Sequence, residues 1–179
     1  EKIQKYLDHI KEIIADNDEK LYEYILNWFA FILQNPNKKT ETALVLTGEQ
    51  GTGKNFFTNV LCKLLEPYSN RNVTNVDNIV GKFNASIENN KLIVCNELSS
   101  AESNKYLNSD ALKTLITEDS IDINQKNLPV RTAENVCNFI FLSNHLDPIR
   151  ITRDDRRYVF SEVSSKHKQD HKYFSDLFK

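Results

Sequence analysis

The stretch ALVLTGEQGTGK, residues 43–54, decides the fold. Its first five residues, Ala43–Thr47, predict a short buried strand, and a glycine-rich turn follows at once. The turn matches the pattern G-x-x-x-x-G-K, and the next stretch, 54–65, predicts a helix. Glycines let the backbone wrap around an anion, amides at the helix start point towards it, and the lysine adds positive charge. The order strand, loop, helix therefore predicts a phosphate-binding loop.

Such a loop indicates a P-loop NTPase that binds and hydrolyses ATP with Mg²⁺. The alternative is a glycine-rich turn with an exposed lysine, which the flanking strand and helix disfavour. We assign the ATP contacts to the loop and the first helical turn, which are Gly48, Glu49, Gln50, Gly51, Thr52, Gly53, Lys54, Asn55 and Phe56.

One position departs from the usual motif. Asn55 follows Lys54, where a Ser or Thr hydroxyl normally contacts Mg²⁺. An asparagine oxygen can ligate the metal directly or through water, but the hydroxyl is lost. We expect nucleotide binding to survive this change and the catalytic rate to be affected more.

Outward from the loop, predicted strands alternate with predicted helices. Apolar runs at 91–95, 138–143 and 158–160 predict further buried strands, and 110–117 predicts a helix between them. Buried strands separated by helices are typical of an α/β fold with a mainly parallel central sheet flanked by helices. A last helix is expected at 173–179.

A helical lead-in precedes this unit. Residues 3–14 have apolar side chains at helical spacing, and residues 19–34 are apolar on nearly all sides. Pro36 ends this second helix because proline cannot continue the hydrogen-bond ladder. We therefore expect a helical lead-in at 1–36 and an ATPase domain at 37–179.

Composition describes an ordinary globular chain of 179 residues, 40% of them hydrophobic, with a formal net charge of −2. That charge gives no overall signature of nucleic-acid binding, so contact with phosphates would need a local basic feature. The three cysteines lie in apolar runs without metal-ligand spacing and are expected to be reduced core thiols. No apolar run approaches the roughly 20 residues that cross a bilayer. The chain has no Met and is expected to be a piece of a longer protein.

Polar residues follow two predicted strands. Asn96 and Glu97 come after 91–95, and Glu97 can polarise an attacking water while Asn96 stands where an Asp usually supports the metal. We assign Mg²⁺ to Asn55, Asn96 and Glu97, directly or through water. Asn144 follows 138–143 and can hold the lytic water. The alternatives are a solvated Glu and a strand-terminating Asn.

Two further basic features are candidates. Arg156 and Arg157 open a predicted strand, where they are either surface charge or an arginine finger supplied by a neighbouring subunit. Apolar alternation around Ile121 and Ile123, resumed at Leu128 and Val130, predicts a hairpin with Lys126 near its tip. A solvated turn lysine is the alternative for Lys126.

In their order and spacing these residues resemble the superfamily 3 helicases, AAA+-related ATPases of viruses, phages and plasmids, and most of all the poxvirus-type and phage primase–helicases. The resemblance covers nearly the whole chain. It rests on Asn27–Ala30, Gln34–Pro36, Gly48–Asn55, Gly81–Asn84, Asn96–Glu97, Leu112–Ile116, Phe141–His145 and Asp155–Arg157.

The resemblance implies an AAA+-like fold in which Lys54 is the phosphate-loop lysine and Glu97 the catalytic carboxylate. Asn144 becomes the polar sensor, and Arg156 the trans arginine finger, with Arg157 as the competing choice. Lys126 becomes a contact to single-stranded DNA. The resemblance further implies a homo-oligomer, expected as a hexameric ring, and a fused or associated primase domain. It implies an intracellular place of action, in the cytoplasm or at a viral replication site, and no membrane.

From this we expect a replicative DNA helicase module that hydrolyses ATP at the subunit boundaries of a ring and translocates on single-stranded DNA. One alternative is an AAA+-like ATPase that remodels or loads a protein partner. Another is a nucleotide-binding assembly module with weak hydrolysis, because Asn55 and Asn96 both depart from the usual metal site.

Overall fold

The computed structural model of the chain describes residues 2–74, 76–96, 105–145 and 155–177. Its helices are α1 (Lys2–His9), α2 (Glu19–Gln34), α3 (Lys54–Leu64), α4 (Asp77–Val80), α5 (Lys105–Thr117) and α6 (His171–Leu177). Its strands are β1 (Ala43–Thr47), β2 (Ser69–Val73), β3 (Leu92–Cys95), β4 (Ser120–Ile123), β5 (Arg131–Glu134), β6 (Asn138–Ser143) and β7 (Tyr158–Glu162). A π-helical turn (Ile10–Ile14) follows α1, and a 3-10 turn (Ala85–Ile87) precedes β3.

Five of the strands form one sheet in the order β2-β3-β6-β1-β7, and every neighbouring pair in it is parallel. Strands β4 and β5 form a separate antiparallel hairpin. The predicted α/β architecture, a mainly parallel sheet flanked by helices, is therefore confirmed. None of the helices in the described ranges is long and apolar enough to cross a membrane.

Both faces of the sheet are buried, because side chains along each central strand alternate between two apolar clusters. Leu44 and Leu46 of β1 join one cluster, together with the N-terminal helices and α3. Val45 of β1 and Phe139 of β6 join the other, which α4 and α5 cover. Strands buried on both faces read as continuous apolar runs, and for that reason the sequence predicted β1, β3 and β6 well.

The N-terminal helices pack onto the first of these faces. Ile10, Ile13 and Ile14 are almost fully buried there, and the Trp28 indole donates to the Thr42 hydroxyl at 3.1 Å. Asp18 caps α2 by accepting from the amides of residues 20 and 21. Glu19, the first residue of α2, forms an ion pair with Lys11 at 2.7 Å.

Three elements differ from the sequence-based expectation. Strand β2 was not predicted, because its sequence SNRNV is polar and it lies at the edge of the sheet. Helix α5 begins earlier than the predicted residue 110. The hairpin strands end at Ile123 and resume only at Arg131, so that Val130 lies exposed in the connection instead of in a strand.

The three cysteines are free and buried, as predicted. Lys39 and Lys91 are buried as well. Lys39 donates to the backbone oxygens of Leu115 and Glu118, and Lys91 donates to those of Asn35 and Lys38. Burial lowers the pKa of both amines. Lys39 connects the segment before β1 to the end of α5, and Lys91 connects the start of β3 to the segment after α2.

Candidate functional site

The glycine-rich loop joins the carboxyl end of β1 to the start of α3, as the sequence predicted. Gly48, Gly51 and Gly53 have φ values of 137°, 82° and 98°, a region that L side chains rarely adopt. A Cβ on Gly53 would lie 2.6 Å from Cε1 of His9 and 2.9 Å from Cε1 of Phe174. The backbone path of the loop therefore depends on these glycines.

Lys54 points into the loop that precedes it. Its amine donates to the backbone oxygens of Gly48 at 2.6 Å and Glu49 at 2.8 Å, and the residue is only 8% exposed. Burial lowers the pKa of Lys54, because desolvation penalises the charged amine. A positive charge is thus held against a backbone curve whose shape suits an anion.

A cavity of about 730 Å³ opens beside the loop. Residues 50–56 line one side of it, and the polar strand-end side chains Asn96 and Asn144 line another. The structure thus brings Asn55, Asn96 and Asn144 to one cavity with Lys54, as their positions after parallel strands predict. The Asn96 amide donates to the backbone oxygen of Arg71 at 2.7 Å, which fixes its orientation.

A metal ion would find oxygen donors but no carboxylate cluster here. Among the described residues no group of three or more His, Cys, Asp or Glu side chains could hold one. Asn55 and Asn96 both line the cavity, so their amide oxygens are available to a cation carried in with phosphates. Glu97, the third predicted ligand and the predicted catalytic carboxylate, lies outside the described residues.

The two arginines are not near this cavity in their own chain. Tyr158, directly after them, pairs with Ala43 at the amino ends of the strands, whereas the loop leaves the carboxyl end of β1. Five strand residues separate these two edges by roughly 13–17 Å. Arg157 pairs with Asp155 at 3.1 Å, and Arg156 is exposed. A role for Arg156 on a neighbouring subunit stays a prediction.

Lys126 is exposed in the connection of the β4–β5 hairpin, away from the phosphate loop. Asn84 anchors this connection. Its side-chain oxygen accepts from the backbone N–H of Asn124 at 2.9 Å, and its side-chain nitrogen donates to the backbone oxygen of Asp122 at 2.9 Å. Lys126 borders a second groove of about 350 Å³, whose lining includes Phe83 and four asparagines, namely Asn70, Asn72, Asn78 and Asn124.

Sequence reasoning missed the residues from the two chain ends that lie at the cavity or behind the loop. Gln169, His171 and Phe174 line it beside the loop. His9 is fully buried behind the loop, its Nδ1 lies 3.0 Å from the Tyr173 hydroxyl, and burial lowers its pKa to about 4. His9, the nearest of these residues in sequence, lies 39 positions before Gly48, and no motif connects any of them to the loop.

A family model described as "Family of unknown function (DUF5906)" matches residues 46–157, which include the loop and most of the sheet. A protein of Nitratiruptor phage NrS-1 named "DNA Primase-polymerase" is 34% identical over 153 residues, 85% of this chain. This chain spans 21% of that protein's length.

Solved structures of the C-terminal region of NrS-1 are similar as well. One apo structure has a TM-score of 0.85 and 28% identity, and it covers 97% of this chain and 42% of its own. A second, the A form of the apo C-terminal region, has a TM-score of 0.80 and 29% identity, with 98% and 41% covered. The resemblance to phage primase proteins is thus confirmed; membership of superfamily 3 is not.

These comparisons contradict the predicted helicase function. The similar protein is a phage DNA primase-polymerase, so the expectation of an ATP-dependent helicase module, with its protein-remodelling and assembly-module alternatives, is wrong. The comparisons likewise give no support to the expected helicase, ATP-binding and P-loop properties. They do support a relation to phage proteins of DNA replication. The physical reason is that phosphate and magnesium contacts occur in many replication enzymes, so these residues do not distinguish a motor from a primase.

Proposed function

The chain belongs to the DUF5906 family, and on that premise we propose that it is a nucleoside-triphosphate-binding domain of a phage-type DNA replication protein of the primase-polymerase kind. The observation that carries the proposal is the buried Lys54 amine inside the glycine loop, next to a cavity that Asn96 and Asn144 also line. Such a domain would bind a nucleotide for use in DNA replication.

The sheet order supports a phosphate-binding loop at this place. From β1 the chain crosses by α3 to β2 at one edge, while β7 adds on the other side of β1. Ligands of open α/β sheets bind outside the carboxyl ends of strands, where the order reverses. The loop after β1 occupies that position, and this is the support for the finer expectation of a P-loop type of fold.

The cofactors that we propose are ATP, as the first nucleotide to test, and Mg²⁺. The metal would be held by the nucleotide phosphates and by Asn55, Asn96 and Glu97, directly or through water. When bound, it would neutralise phosphate charge beside Lys54. The division into a lead-in at 1–36 and a nucleotide-binding unit at 37–179 is also part of the proposal. His9 of the lead-in packs directly behind the loop, so the lead-in would support the loop of the nucleotide-binding unit.

Single-stranded DNA is the proposed macromolecular partner, with Lys126 as one phosphate contact. The exposed lysine, the exposed Phe83 ring and the asparagine-lined groove offer a charge, a stacking surface and hydrogen-bond partners. A homo-oligomer, expected as a hexameric ring, and a fused or associated primase domain complete the proposal. As part of a phage replication protein, the chain would act inside the host cell.

The test compares ATP binding by the wild type and the Lys54→Ala variant, measured by isothermal titration calorimetry in the presence of Mg²⁺. Loss of a charged hydrogen-bond donor to phosphate costs about 1.5–3 kcal/mol, so we expect affinity to fall roughly 10- to 100-fold. Lys63→Ala is the matched control, because Lys63 lies exposed on the same helix. Equal ATP affinity in the wild type and Lys54→Ala, with both folded by thermal melting, would refute the proposal.

A further inference from the structure

The segment 165–174 is attached to the phosphate loop at two points. The backbone N–H of Gln169 donates to the backbone oxygen of Gly51 at 3.0 Å, and the Lys168 amine pairs with the Glu49 carboxylate at 2.5 Å. The Cγ of Gln169 lies directly beside Gly51, where a Cβ would be 3.1 Å away. The C-terminal segment therefore has a fixed position relative to whatever the loop binds.

An aromatic wall stands where this segment meets the loop. Phe174 is half-buried and lines the cavity beside the phosphate loop. Its ring centroid lies 6.2 Å from that of His9 and 6.5 Å from that of Phe56, and the His9 and Phe56 rings meet edge to face at 5.3 Å. Since these rings support one another, the wall is a preformed apolar surface at the edge of a polar site.

Two polar side chains lie next to this wall. Gln169 and His171 line the same cavity and are both exposed. Neither side chain makes a hydrogen bond to any residue in the described ranges of the chain. A glutamine side-chain amide offers two donors and an acceptor, and a neutral imidazole offers one donor and one acceptor. Together they can form hydrogen bonds with the edge of a heterocyclic base.

We propose that Gln169, His171 and Phe174 form the base-binding part of the site, with the base of a nucleoside triphosphate stacked on Phe174 and its edge read by Gln169 and His171. This inference rests on the proposed phosphate site. The cavity of about 730 Å³ falls within the range of roughly 300–1,000 Å³ typical of small-ligand sites, so one nucleotide can reach from the loop to the wall. The C-terminal segment is thus a specificity element for the nucleotide.

The experiment compares ATP with inorganic tripolyphosphate, which has the phosphates but no base. Phe174→Leu keeps the apolar volume and removes the aromatic face. We expect its ATP affinity to fall roughly 10-fold, as for loss of one base–aromatic stack, with tripolyphosphate affinity unchanged. Lys172→Ala, on the same helix but not lining the cavity, is the control and should leave both affinities unchanged.

The outcomes separate this inference from the proposal beneath it. If Phe174→Leu weakens ATP and tripolyphosphate equally, or weakens neither, the base site is wrong while the phosphate site stands. If the wild type binds neither ligand, or if Lys54→Ala leaves both affinities unchanged, the phosphate site fails and the base site with it.

A second variant addresses the hydrogen bonds alone. Gln169→Leu retains a Cγ beside Gly51 and removes the amide. We expect it to reduce the differences in affinity among ATP, GTP, CTP and UTP while tripolyphosphate binds as in the wild type. An unchanged order and spread of the four affinities would remove Gln169 from base recognition.

Discussion

At the scale of single residues, the glycines of the loop differ in what surrounds them. A Cβ on Gly53 would meet ring atoms of His9 and Phe174 inside 3.0 Å, and those rings are held by their neighbours. A Cβ on Gly51 would meet mainly the Gln169 side chain, which can move away. Both glycines have positive φ, so each substitution carries backbone strain as well.

We therefore expect Gly53→Ala to destabilise the fold more than Gly51→Ala. Strain in this region costs of order 1–3 kcal/mol, and the ring clashes at Gly53 add to it. Urea denaturation of both variants measures the difference. A Gly51→Ala variant as unstable as Gly53→Ala would show that the packing of His9 and Phe174 against the loop is loose.

His9 makes stability depend on pH. Burial lowers its pKa from 6.5 to about 4, so between these values the unfolded chain binds a proton that the folded chain does not. Above pH 6.5 His9 is neutral in both the folded and the unfolded chain. As pH falls towards 4, protonation of the unfolded chain lowers the free energy of unfolding by about 3 kcal/mol. Denaturation midpoints of the wild type and His9→Gln, measured from pH 7.5 to 4.5, should converge as pH falls. Parallel profiles would contradict this assignment.

Among single residues, the sequence predicted those that lie at the ends of predicted elements. Lys54, Asn55, Asn96 and Asn144 meet at one cavity, because their strands are parallel and adjacent. His9, Gln169 and Phe174 could not be predicted, since their place depends on how the two chain ends pack over α3. Periodicity reports which face of a helix is buried, but not against which loop.

At the scale of elements, the hairpin connection is held by one asparagine. Asn84 makes side-chain hydrogen bonds to the backbone at the end of β4, at Asp122 and Asn124, where the chain leaves the strand and enters the connection. Lys126 lies two residues after Asn124, so its position depends on the hydrogen bonds of Asn84. The hairpin and the phosphate loop are otherwise separate parts of the surface.

We expect Lys126→Ala to weaken single-stranded DNA binding and to reduce the slope of log affinity against log salt by roughly 0.7, the share of one phosphate contact. Asn84→Ala should weaken DNA binding as well, because the anchor is lost, and both variants should bind ATP as the wild type does. Fluorescence anisotropy at several salt concentrations measures this, with Lys63→Ala as the control. Wild-type affinity and slope in Lys126→Ala would exclude the hairpin as a DNA contact.

The elements that the sequence predicted are the ones whose physics is local. Strands β1 and β6 were predicted within their observed bounds, because strands buried on both faces are continuous apolar runs. Strand β2 was missed because its only signal is its pairing with β3, and its own side chains are largely polar. Edge strands depend on tertiary pairing that a single sequence does not display.

At the scale of the whole molecule, the sequence-based prediction of the α/β fold was correct, whereas the prediction of the function was wrong. The α/β sheet followed from the order of elements, but the helicase function did not follow from the loop, and the comparison with a phage DNA primase-polymerase overturned it. Enzymes of both kinds bind triphosphates, magnesium and single strands. The physical requirements of those ligands are met by similar residues, and only the remainder of the protein decides how they are used.

The measurement that tests the account most directly is a crystal structure of this chain with a non-hydrolysable ATP analogue and Mg²⁺. The account predicts phosphates enclosed by the backbone of Gly48 to Lys54, with the Lys54 amine turned to them and the base against Phe174. A triphosphate bound elsewhere, for instance in the groove beside Lys126, would contradict it.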